Sequence, residues 1–213
     1  MEASLKNLYD RLYTLEGPQG WWPATDPIEI SLGAILVQNT AWANVEKALT
    51  KFYLKTNFAP NLILELELSQ LERLIQASGF YKTKALAIQA LLTFYQQDDF
   101  DVSKLKQRFG DNLRRSLLEL PGIGPETADV LLVYVFDQVV FIPDTYTRRL
   151  LSILFNQPIE SYQKTQQAFP LPTDFTSDQA KEFHGLLDTF GKRYLQQRRR
   201  TLTDEEIRQL FTN

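Results

Sequence analysis

Residues 120–129 read LPGIGPETAD, and the run Pro121-Gly122-Ile123-Gly124-Pro125 is what most restricts the fold. Two prolines and two glycines in succession remove backbone donors and helix propensity together, so no regular element runs through them. Apolar residues at helical spacing lie on both sides, in SLLEL before the run and in TADVLLVY after it. Pro125 stands where a helix prefers its first residue. The segment is therefore a helix, a tight glycine turn and a second helix. Gly122 and Gly124 permit φ > 0 and close backbone approach, so amides of the turn and of the next helix N-terminus can face a phosphate. Glycine turns between helices are common, and the turn alone names no function.

The same punctuation recurs along the chain. DPIE at 26–29 supplies Asp26 as N-cap, Pro27 at the first helical position and Glu29 to close a capping box. SQLE at 69–72 and TDEE at 203–206 repeat the signature, and Gly79 supplies a stop. Further helical patterns fall at about 3–15, 41–55, 83–97, 111–119, 125–136, 145–156, 161–168 and 178–197. The one β-like run, VVFI at 139–142, is short and bounded by Pro143, which makes it a connector. The fold class is all-α. With 213 residues, 44% of them hydrophobic, the chain fills one large domain or two small lobes. No apolar run approaches roughly 18 to 20 uncharged residues, and MEASLKNLYD lacks a basic region followed by an apolar stretch. A soluble, cytoplasmic protein with no membrane partner is expected.

Composition removes whole classes of chemistry. Without cysteine there is no disulfide, thiolate nucleophile, zinc–thiolate site or cysteine-ligated iron–sulfur cluster. The lone histidine, His184, gives no support to a histidine-rich metal site, so neither metal nor cofactor is expected. A net charge of −3 counts against nonspecific coating of nucleic acid. Cations do cluster locally, in QQRRRT (Arg198, Arg199, Arg200), GKRY at 191–194 and YKTK at 81–84, although a solvated surface explains any one of them.

VFIPDTYTRRLL at 140–151 places Asp144 at a helix start. Together with LPGIGPETAD and GAILVQNTAW at 33–42, it resembles the helix-hairpin-helix DNA glycosylase superfamily, to which endonuclease III belongs. The resemblance covers most of the chain. It implies two helical lobes with a DNA-binding cleft, one of residues 27–135 with the hairpin, the other of 1–26 and 136–213. LQQRRRTLTDEE stands where the family's four cysteines would be, so the second lobe lacks an iron–sulfur loop. In members resembling endonuclease III, a lysine after the hairpin attacks the sugar, forms a Schiff base and permits strand cleavage. Glu126 stands there, which implies a monofunctional enzyme that removes a base and leaves the backbone intact.

GWWP at 20–23, QNTAW at 38–42 and the glutamate after the hairpin resemble the cluster-lacking branch that excises alkylated bases such as 3-methyladenine. That likeness implies that Trp22, Pro23 and Trp42 stack the flipped base, with Glu126 and Lys192 bordering it. It implies that Gln38 fills the duplex gap, and that Gly122, Ile123, Gly124, Thr127 and the three arginines contact DNA. Asp144 is the implied catalyst. The residue types suit the substrate: a 3-alkylated adenine is cationic, and an indole face attracts it by about 0.5–2 kcal/mol per favourable contact. Because the base departs neutral, no strong general acid is needed. A carboxylate that stabilises the oxocarbenium-like sugar and orients water suffices.

Plainer roles stand beside these. Asp144 can be only an N-cap, the tryptophans core, Gln38 an inter-helix hydrogen bonder, Glu126 a first-turn acid and His184 a packed or surface residue. Lys192 suits a surface phosphate contact, and its conversion to a carbamate would require burial. The expected partner is double-stranded DNA containing a damaged base, bound by a monomer. Two other functions remain open: a noncatalytic hairpin DNA-binding module, and a glycosylase for oxidised or mismatched bases. The latter must protonate a neutral leaving base, for which the sequence offers only Glu126.

Overall fold

The helix starts read from the sequence become helices in the computed structural model, which describes residues 5–159, 161–196 and 201–212. In chain order these are α1 (Leu5–Glu16), α2 (Pro27–Leu36), α3 (Trp42–Thr56), α4 (Pro60–Leu64), α5 (Leu68–Ile75), α6 (Tyr81–Gln96) and α7 (Val102–Phe109). Then follow α8 (Leu113–Leu118), α9 (Pro125–Tyr134), α10 (Thr145–Phe155), α11 (Tyr162–Ala168), α12 (Ser177–Phe190) and α13 (Asp204–Leu210). Among the described residues no strand forms, and 139–142 is irregular.

Local chemistry sets the starts. The Asp26 carboxylate alone caps α2, accepting from the N–H groups of Ile28 and Glu29 at 2.9 Å each. Glu29 lies in the first turn without the reciprocal bond expected of it. Thr203 and Glu206 do form a capping box ahead of α13. The cap of α5 is not the expected SQLE box, because Gln70 reaches back to the Glu67 N–H at 2.9 Å and starts the helix two residues earlier. Two helices, α4 and α7, were not read from the sequence. Both are short, and α7 hangs on Asp101, which accepts from Ser103 and Lys104 N–H.

The chain divides into two compact units. A middle unit, Ala24–Phe136, contains α2 to α9, and a terminal unit joins the segment up to Pro23 to the segment from Asp137. In the middle unit α2 packs on α9. Both are buried almost all round, from Ile30 to Leu36 and from Thr127 to Tyr134, as befits helices at the centre of a core. In the terminal unit α1 lays Leu5, Leu8 and Leu12 on α12, joining Phe183, Leu187 and Phe190 in one apolar cluster.

Candidate active site

The central α2–α9 pair fixes the glycine turn. Gly122 has φ +77, and a Cβ there would lie 2.8 Å from the Ala87 Cβ on α6, so conformation and close packing both require glycine. Ile123 is buried beneath the turn. Arg114 of α8 clasps Asp129 of α9 through Nε–Oδ1 at 2.7 Å and Nη2–Oδ2 at 3.1 Å. Gln38, in the turn after α2, donates Nε2 to the Gly122 carbonyl at 3.2 Å and to Thr127 Oγ1 at 2.8 Å. Gln38, Gly122 and Thr127 therefore form one cluster, with the glutamine engaged in the hydrogen-bonding role. Gly124 is the N-cap of α9, no side chain caps its first amides, and Glu126 is exposed in the first turn. Such a helix N-terminus can receive an anion.

Beneath this face Lys84 is buried, contrary to the surface role suggested by YKTK. Its ammonium donates to the Leu36 carbonyl at 2.9 Å and the Ser78 carbonyl at 2.7 Å, tying the end of α2 to the turn after α5. Burial pushes its pKa down to about 8.

In the terminal unit Asp144 caps α10, its Oδ1 accepting the Thr147 N–H at 2.7 Å, and the residue is only 8% exposed. The Arg148 guanidinium donates to the Pro143 carbonyl at 2.7 Å and steadies the approach to the cap. His184 of α12 lies in the field of this carboxylate. Burial lowers the imidazole pKa, Asp144 and Asp188 pull it back up, and Lys192 adds to the lowering. No sequence signal linked His184 to Asp144.

Trp22 and Pro23 end the segment between α1 and α2. Trp22 is partly buried with its ring centroid 5.6 Å from that of Trp21, and Pro23 is exposed. Lys192 sits in a π-helical turn, Gly191–Leu195, that continues α12. It pairs with Asp188 at 2.6 Å, is 49% exposed along its side chain, and holds its ammonium 5.7 Å from the Trp21 ring. That exposure removes the burial a carbamate would require. Trp42 opens α3 in the middle unit and donates Nε1 to Glu46 at 3.1 Å. Arg198, Arg199 and Arg200 lie outside the described residues. The sequence reading missed Phe80, which starts α6 at φ +47 and is 69% exposed. An isolated phenylalanine ordinarily signals core, so nothing marked it.

Among the described residues no group of three or more His, Asp or Glu side chains is placed to hold a metal ion. Among the described residues no helix is long and apolar enough to cross a membrane.

Residues 32–172, which include Gln38, the hairpin and Asp144, match the family described as HhH-GPD superfamily base excision DNA repair protein. The chain belongs to the HhH-GPD superfamily. It is 33% identical over 203 residues to a candidate DNA repair glycosylase of Methanocaldococcus jannaschii, covering 92% of this chain and 90% of that protein. It is 29% identical over 171 residues to endonuclease III of Thermotoga maritima, covering 79% and 75% respectively. The structure of the H. pylori 3-methyladenine DNA glycosylase bound to 1,N6-ethenoadenine aligns with a TM-score of 0.75 and 27% identity over 89% of this chain and 97% of that one. The HhH-GPD chain is thus a base excision DNA repair protein of the all-α, endonuclease III-like fold.

Proposed function

We propose that this HhH-GPD protein is a monofunctional DNA glycosylase that flips an alkylated purine, foremost 3-methyladenine, out of double-stranded DNA and removes it hydrolytically in base excision repair. The observation that carries it is Asp144, a nearly buried carboxylate held by the Thr147 amide in the same unit as the Trp22–Pro23 arm. The amide fixes the carboxylate plane, and the negative charge stabilises the oxocarbenium-like sugar and orients the attacking water. Trp22 and Pro23 supply the surface on which a cationic base stacks, and Trp42 is a further indole of the kind that attracts one. The amides after Gly124, with Thr127 and the arginines 198–200, are the DNA contacts, and Gln38 reaches the duplex gap by leaving its bonds to Gly122 and Thr127. Lys192, exposed and paired with Asp188, suits a phosphate better than a cationic base. The H. pylori relative, named for 3-methyladenine, supports the substrate class.

Glu126 carries the monofunctional half of the proposal, since a carboxylate forms no Schiff base. His184 bears on the oxidised-base alternative. It lies in the field of Asp144, but burial lowers its pKa, which counts against its supplying the proton a neutral leaving base would need.

The test is incubation with methylated duplex DNA, identification of the released base by chromatography, and scoring of nicks before and after hot alkali. Release of 3-methyladenine with nicks only after alkali is expected. Release absent from wild type would leave the noncatalytic module in its place, and efficient borohydride trapping would refute the monofunctional assignment.

A further inference from the structure

The segment 17–23, GPQGWWP, has no regular secondary structure, and Gly17 and Gly20 adopt φ +70 and +61. Its backbone donors need partners from elsewhere. Glu182 supplies them: its carboxylate accepts the Gln19 N–H at 2.5 Å and the Gly20 N–H at 3.2 Å, one oxygen each. Thr189 donates its hydroxyl to Gln19 Oε1 at 2.6 Å, and Gln19 in turn donates to the Gly17 carbonyl at 2.9 Å. Between those two residues on α12, a Cβ at Gly185 would lie 3.0 Å from the Trp21 Cβ, so the helix leaves room for the indole. Lys192 closes the row above the Trp21 ring. Residues 182, 185, 189 and 192 share one stripe of a helical surface. The stripe receives the arm, and the same helix carries His184 into the field of Asp144. Both arm and stripe lie outside the matched residues 32–172.

We propose that Glu182 is a positioning residue that latches the tryptophan arm to α12, so that Trp22 and Pro23 are presented in fixed register with Asp144 and the captured base is held without ordering a loose loop. This rests on the assignment of Trp22 and Pro23 to the base. A carboxylate accepting two neighbouring amides gives a charge-assisted grip that apolar packing of so short a segment could not replace. Without it, each capture of a base would have to order the arm as well.

The experiment compares wild type, Glu182→Gln and Thr189→Val in two assays. In free protein on a Trp42→Phe background, acrylamide quenching reports Trp21 and Trp22. In single-turnover release of 3-methyladenine from duplex DNA, the enzyme concentration for half-saturation is read separately from the plateau rate. Glu182→Gln is expected to increase quenching, to raise half-saturation about tenfold, and to leave the plateau rate, the affinity for abasic duplex and Tm nearly unchanged. Thr189→Val, which removes no charge, moves the same readouts less. Unchanged quenching overturns the latch, as does a fall in plateau rate and Tm at constant half-saturation. If wild type releases no base, the assignment of function fails on its own, and quenching still decides whether Glu182 holds the arm.

Discussion

The hairpin and the tryptophan arm are both short glycine-bearing turns, yet they are held by opposite means. The hairpin is part of a core: Gly122 touches Ala87, Ile123 is buried, and the Arg114–Asp129 clasp braces the helices on either side. The arm lies on the surface of α12 and is fastened by Glu182 and Thr189, with Pro23 exposed. Where a functional turn is also core, sequence changes damage fold and function together. Where it is pinned by a few polar groups, function can fail while the fold survives.

The largest effect that sharpens this contrast is at Asp144. Asp144→Asn keeps an acceptor for the Thr147 N–H, since asparagine caps as well as aspartate, so Tm should scarcely move. Base release should fall by about a thousandfold, the scale of losing one preorganised electrostatic group. A large drop in Tm alongside would break the contrast. On the hairpin side, Arg114→Ala leaves the fully buried Asp129 carboxylate without its guanidinium and should cost about 3 kcal/mol in chemical denaturation. Lost DNA binding at unchanged stability would contradict the account of the hairpin as core.

Lys84 gives a pH test of the same side. Its folded pKa of about 8 lies below the ordinary value of 10.5, so the folded state gives up the proton first. At pH below 8 both states hold it and the penalty for the buried charge is fully present. As pH rises from about 8 towards 10.5 that penalty is relieved, and stability should rise. Urea titrations of Lys84→Met should show that rise abolished. The smallest effect is expected at Phe80. An exposed side chain contributes within about 0.5 kcal/mol to stability, so Phe80→Ala should leave Tm alone. Its affinity for damaged duplex should weaken if the ring wedges against bases, and equal affinity would assign the ring no role in binding.

Much of the backbone plan was legible because helix starts depend on local chemistry. Asp26, Thr203 and Asp144 cap where the sequence places them, and Pro125 opens α9. The start of α5 misled because Glu67 and Ser69 can each initiate a helix, and burial of Leu71 and Ile75 does not choose between them. What stayed hidden depends on partners remote in sequence. Lys84 read as one of a pair of surface cations until the carbonyls of Leu36 and Ser78 were seen around it. His184 and Glu182 are unremarkable on a helix pattern, and their importance comes from Asp144 and from the amides of residues 19 and 20. Gln38 has both a gap-filling and an inter-helix role open to it in the sequence, and only geometry shows its amide spent on Gly122 and Thr127.

The terminal unit is built from both ends of the chain, and this sets an order of assembly during synthesis. The middle unit is contiguous, so all its helices are available once Phe136 has left the ribosome. By then α1 has long been made, but α12, against which its leucines pack, does not yet exist. A nascent chain of that length can complete the hairpin while α12 is not yet available to α1. Ribosome-bound chains stalled just after Phe136 has emerged would thus carry a finished hairpin, with Leu5, Leu8 and Leu12 still waiting for their partners.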